Sequence, residues 1–140
     1  MNDRFLNRGK SKDNGEWVVG YYCPTAFTRF PCKPSIYPAE TINHHWHAVE
    51  IIPETLGGCT GKNDKNGRMV FEGDIVRVKK FNDDPIIGKI VFNENTAGFE
   101  VWWNIVVGAY SEKATRKENF AVCGQMEVIG NIYDTPELLK

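Results

Sequence analysis

Apolar residues alternate with polar ones at period two along much of the chain, and they are rich in valine, isoleucine and aromatics. That is the pattern of half-buried strands rather than of helical stripes. In Phe99-Glu100-Val101-Trp102-Trp103-Asn104-Ile105, alternation sends Phe99, Val101, Trp103 and Ile105 to one face and Glu100, Trp102 and Asn104 to the other. The first face is core, which leaves Trp102 turned outward. Further strands are predicted over Trp17 to Tyr22, His44 to Ile52, Met69 to Phe71, Ile75 to Lys79, Gly88 to Phe92 and Glu127 to Ile132.

Short strands need tight reversals. Asn14-Gly15 and Asn66-Gly67 adopt positive φ at low cost and close hairpins, and Asp83-Asp84-Pro85 marks another turn. Between Glu112 and Glu118 there are charges but little apolar spacing, so this stretch reads as an exposed loop or one short helical turn. Thr135-Pro136-Glu137-Leu138-Leu139 starts a short helix, with Thr135 as N-cap and Pro136 at the first helical position. A soft boundary near Pro53 separates a β-hairpin extension, residues 1–52, from a denser β-rich body, residues 53–140. The two are expected to form one structural unit.

Composition adjusts this picture in three ways. With 41% hydrophobic and 25% charged residues, the 140-residue chain has the make-up of an ordered globular domain. A net charge of -1 supplies no global basic field to draw it onto phosphate backbones. Met1 to Gly20 is polar and charged, and no later run has membrane length, so a cytoplasmic protein without membrane contact is expected. Cys23, Cys32, Cys59 and Cys123 are too few and scattered for a disulfide framework and read as free thiols, mostly buried.

The stretch from Asn66 to Val78 reads as a compact meander. Asn66-Gly67 turns the chain, Met69-Val70-Phe71 runs in, and Gly73-Asp74 turns again before Ile75-Val76-Arg77-Val78. Gly73 is expected at positive φ or a bulge, and Asp74 is expected to hydrogen-bond the backbone two residues on.

Three blocks resemble the YopX family, encoded by bacteriophages and prophages: Gly9 to Gly20, Pro53 to Val76 and Val128 to Leu139. The middle block carries the most specific pattern, with Thr60-Gly61, Asp64-Lys65-Asn66-Gly67 and Glu72-Gly73-Asp74-Ile75-Val76 in order. The resemblance implies a mostly β fold around a small SH3-like barrel in residues 53–140 and a phage or prophage origin. It implies no mechanism. The sequence departs from the family pattern at Gly58-Cys59 and from Tyr21 to Ile52.

Candidate chemistry is thin. Glu72 and Asp74 resemble an acid and base pair, but a Glu-Gly-Asp turn needs no catalytic role, and nothing nearby supplies a nucleophile or metal ligand. On a strand His45 and His47 share a face that His44 does not, and the Cys23 to Cys32 spacing is unlike zinc knuckles, so no metal or other cofactor is expected. Gly57 to Lys62 lacks the spacing and the Ser or Thr of a phosphate loop and reads as a turn-rich loop, with Cys59 a small buried thiol. Trp46, Arg77, Lys79, Lys80 and Trp102 combine aromatic and basic character and are the candidate binding surface.

The reading that follows is a non-enzymatic protein-interaction module whose partner is itself, as a homo-oligomer, or a host factor. Asp64, Asn66, Gly67, Glu72, Gly73 and Asp74 serve as its structural turn motif. The alternative is single-stranded nucleic-acid binding through the aromatic and basic surface. A small hydrolase using Glu72 and Asp74 ranks third.

Overall fold

A computed structural model describes residues 3–26, 33–39, 48–79, 85–107, 112–119 and 125–139, with only the backbone at 3, 25–26, 104–107 and 112–119. The chain is mainly β, built from two antiparallel sheets, and its described helical turns are all short 3-10 segments. None is long and apolar enough to cross a membrane. It divides into two compact units, Met1–Lys62 and Asn63–Lys140.

The N-terminal unit contains β1 (Asn7–Lys10), β2 (Trp17–Ala26), β3 (Lys33–Pro38), β4 (Val49–Glu50) and β5 (Gly57–Asn63). Within one sheet these strands run in the order β4-β3-β2-β1-β5. The expected Asn14-Gly15 turn joins β1 to β2, with Gly15 at φ 71°. Among the described residues, Leu6, Ile36, Ile51 and Cys59 are its buried apolar side chains. Ile51 packs tightly against the backbone at Gly9, where a Cβ would lie 2.9 Å from the isoleucine Cδ1.

Two segments here depart from expectation. Gly57 to Lys62 is the strand β5, not a loop, because Gly57 and Gly58 pair with Arg8 and Asn7. Of the predicted strand from His44 to Ile52, Val49–Glu50 is extended and Ile51 bridges to Ser11, while the histidines lie outside the described residues.

The C-terminal unit contains β6 (Met69–Phe71), β7 (Asp74–Val78), β8 (Ile86–Asn93), β9 (Gly98–Val107), β10 (Glu112–Asn119) and β11 (Met126–Asn131). Five of them form a sheet in the order β10-β9-β8-β7-β11. Among the described residues no ladder closes this sheet into a barrel. Its core holds Val70, Val76, Val78, Ile90, Val101, Trp103, Met126 and Val128, with Ile86 and Phe99 packed against it. Alternation therefore places Val101 and Trp103 inward as the sequence predicts.

The stretch from Glu112 to Glu118 is a strand rather than a loop or helical turn. It pairs with β9 from Glu112↔Val107 to Asn119↔Glu100. Its apolar content could not announce it, because an edge strand is held by its neighbour's backbone and kept soluble by charge. The C-terminal segment forms a 3-10 turn at Pro136–Leu139. Thr135 does not cap it through its side chain: the hydroxyl accepts from the Asn131 N–H at 3.1 Å, and the Thr135 carbonyl takes the Leu138 N–H.

Gly73, in the reversal between β6 and β7, has φ 89°. Its N–H donates to the Ile90 carbonyl and its own carbonyl accepts from Ile132, both at 2.9 Å, so the turn is tied to β8 and to the segment after β11. A Cβ there would meet Tyr133 Cε2 at 3.2 Å. Gly73→Val combines this contact with about 1–3 kcal/mol of backbone strain. The variant should be largely insoluble on expression, and an unchanged urea midpoint would contradict this account of the turn.

Candidate functional site

The turn motif is built around one carboxylate. Asp64 is 7% exposed, and its Oδ1 accepts the N–H groups of Asn66 at 2.9 Å and Arg68 at 2.8 Å. Its Oδ2 accepts the N–H of Val128 on β11 at 3.0 Å. Gly67, at φ 81°, lets the loop close so that its own N–H reaches the Asp64 carbonyl. Burial pushes the Asp64 carboxyl up, but hydrogen bonds from Val128, Arg68 and Asn66, with the nearby Arg68 charge, outweigh that and hold it below the usual carboxylate value.

Asp74 is also buried, and its Oδ2 accepts the Phe71 N–H at 2.8 Å. The expected bond reached forward by two residues; the observed one reaches back across the turn, which fastens the end of β6 to the start of β7. Glu72 is half-buried between them.

Arg77 and Trp102 share the outer face of the C-terminal sheet, since Arg77 pairs with Ile87 and Trp102 with Lys89, two residues further along β8. Arg77 donates to Glu127 Oε2 at 2.6 Å, and Lys65 lies 3.4 Å from the same oxygen. The Arg77 hydrogen bond is the main reason that the Glu127 carboxyl sits below its usual range. Trp102 is half-buried, and its Nε1–H donates to Glu100 Oε2 at 2.8 Å. Lys79 is exposed just past the end of β7, while Trp46 and Lys80 lie outside the described residues. Lys89, half-buried directly opposite Trp102, belongs to this face and was missed, because adjacency across strands requires the register.

The β10 ladder leaves that strand at one end of the sheet order. Of the cysteines, Cys23 is a half-buried free thiol and Cys59 a buried one whose Sγ accepts the Gly61 N–H at 3.4 Å. Cys32, Cys123, His44, His45 and His47 lie outside the described residues.

A second aromatic and basic face, on the N-terminal sheet, escaped the sequence reading. Trp17, Val19 and Tyr21 alternate onto one side of β2, with Lys10 opposite Trp17, Arg8 opposite Val19 and Tyr37 opposite Tyr21. Arg8 Cζ lies 4.6 Å and Lys10 Nζ 5.4 Å from the Trp17 ring centroid, within cation–π range. The alternation in Trp17-Val18-Val19-Gly20-Tyr21 was a visible signal for the aromatic half; the cations come from another strand.

Comparison with protein-family models matches residues 8–140 to the model described as YopX protein. No curated protein matches the chain.

Asp64→Asn replaces one acceptor oxygen with an amide group facing backbone N–H donors. It should lower stability at neutral pH by about 2 kcal/mol, the scale for leaving a buried donor unsatisfied. The contribution of Asp64 is complete above the ordinary carboxylate range and is lost as pH falls through its lowered folded value. Urea midpoints of the wild type and the variant should therefore converge on acidification, and a gap independent of pH would refute the assignment.

Proposed function

The chain belongs to the YopX family, and we propose that it is a phage- or prophage-encoded accessory protein that works without catalysis, by binding another protein in the bacterial cytoplasm. The observation that carries this reading is the β10 edge. Each residue from Glu112 to Asn119 is in register with β9 on one side, and β10 ends the sheet order on the other. Successive residues of a strand direct their backbone groups to opposite sides, so such an edge offers a row of donors and acceptors to an incoming strand. The charges in Glu112-Lys113-Ala114-Thr115-Arg116-Lys117-Glu118 deter indiscriminate pairing and so favour a selected partner, a host factor or a second copy of the chain.

We read the C-terminal strands as the small SH3-like barrel that the family resemblance implies. The register shift between Val128 and Gly130, where β11 meets β7, supports this, because bulges bend and twist a sheet toward closure. The non-enzymatic reading is supported by the role of Asp74, whose carboxylate fastens a turn.

A tagged pull-down from host lysate, with and without nuclease, tests the proposal. One protein recovered in stoichiometric amount and resistant to nuclease is expected. One of the two variants Thr115→Pro and Arg116→Pro removes an N–H from the open side of β10 and spares the ladder to β9. That variant should melt near the wild-type temperature and lose the captured protein. Recovery of no protein, together with a monomer by light scattering, would overturn the reading.

A further inference from the structure

We propose that the β10 edge takes an acidic extended segment of a different protein rather than a second copy of the chain, with acids opposite Lys113 and Lys117. This rests on the reading of β10 as a binding edge and names its partner by chemistry.

The charge order of the strand opposes a second copy. Among the described residues β10 ends the sheet order, and it runs Glu112-Lys113-Ala114-Thr115-Arg116-Lys117-Glu118-Asn119. Two copies that join this edge in antiparallel fashion do so about a twofold axis normal to the sheet. One residue then stands opposite its own copy, and the others pair symmetrically about it. With Thr115 at the axis, Glu112 stands opposite Glu118 and Lys113 opposite Lys117, and symmetry repeats each like-charge pair. With Arg116 at the axis, arginine stands opposite arginine. Ala114 at the axis does bring Glu112 opposite Arg116, but only residues 112–116 then overlap. Like charges directly opposite destabilise a strand pair, so the long registers of self-pairing are all opposed.

A different chain is not bound by that symmetry. Register with β9 sets Lys113, Thr115, Lys117 and Asn119 in line with Val106, Asn104, Trp102 and Glu100, on the outer side of the sheet. This row of β10 has lysine at two positions and no acid. Lys117, Trp102 and Lys89 are in line across β10, β9 and β8, so a further lysine stands behind the row. The segment that fits has two acids on one face, spaced as Lys113 and Lys117 are, with a basic residue just outside each, opposite Glu112 and Glu118. That order reads the same in both directions and suits a parallel or an antiparallel strand. Backbone hydrogen bonds supply the affinity, and the charges supply the choice of partner.

Capture from host lysate on the tagged full chain, followed by zero-length carbodiimide coupling of amines to carboxylates, tests this. Cross-links should join Lys113 or Lys117 to aspartates or glutamates of that spacing in one segment of another protein. Lys113→Glu with Lys117→Glu should cut recovery of that protein about tenfold, and raised salt should weaken its capture by the wild type. Lys117→Glu with Glu118→Lys sets opposite charges face to face in the Thr115 register. That variant should form a dimer by light scattering where the wild type is a monomer. A wild-type dimer dissociated by the ladder-sparing one of Thr115→Pro and Arg116→Pro would overturn this inference and leave the binding edge standing. So would a protein that the proline variant loses but Lys113→Glu with Lys117→Glu retains. A protein retained by both variants would overturn the edge reading as well.

Discussion

The C-terminal unit depends on where the Asp64 carboxylate finds its hydrogen bonds. Two of its donors, Asn66 and Arg68, are local and would form in almost any turn of this composition. The third, Val128, is far along the chain, and ordering that connection costs loop entropy that the local bonds alone do not recover. Once made, the bond sets β11 against the turn, and the Lys65 N–H bond to the Met126 carbonyl reinforces it. Met126 and Val128 are then carried into the core beside Val70, Val76 and Val78. A charged group is effective here because a carboxylate offers several lone pairs to neighbouring donors at once, the N–H groups of the exposed turn and that of the buried Val128.

What this constraint positions is a meander whose inner face is continuous and whose outer face mixes charged side chains with the exposed Ile87. β7 contributes Val76 and Val78 inward and Arg77 outward, and β9 repeats the scheme with Val101 and Trp103 against Trp102. Arg77 pairs with Glu127 across strands, and Glu100 accepts the Trp102 indole N–H within β9. Among the described residues β10 ends this sheet, which is why the proposed function rests on an edge rather than on a cleft.

Legibility in the sequence followed the physics of each element. Met69–Phe71, Ile75 to Lys79, Gly88 to Phe92, Phe99 to Ile105 and Glu127 to Ile132 were readable because each buries one face and ends at turn residues, and their strands match within a few positions. The positive φ values of Gly15, Gly67 and Gly73 were readable for the same local reason. β5 was not, since Gly57-Gly58-Cys59-Thr60-Gly61 has neither alternation nor β propensity and is extended because β1 pairs with it. β10 was hidden likewise by its charges. Of the turn residues, Asp64 and Gly67 lie in one reversal and Gly73 and Asp74 in the next, but the partner of Asp64 was not legible, because sequence reasoning sees neighbours along the chain and Val128 is a neighbour only in the fold. Lys89 beside Trp102 and Tyr37 beside Tyr21 were missed for the same reason.

The two half-buried tryptophans on sheet faces, Trp17 and Trp102, show how register alone gives similar residues opposite electrostatic character. Trp102 has Glu100 two positions before it on the same face of the same strand, close enough for the indole N–H to donate to the carboxylate. That edge-on contact uses the positive rim of the ring and brings negative charge to the face. Trp17 stands across from Lys10 with Arg8 two pairs away, and both cations lie over its negative ring face. One tryptophan therefore gathers an anion and the other gathers cations. Composition cannot distinguish them, because the chain as a whole is close to neutral. The distinction arises only when β1 folds beside β2.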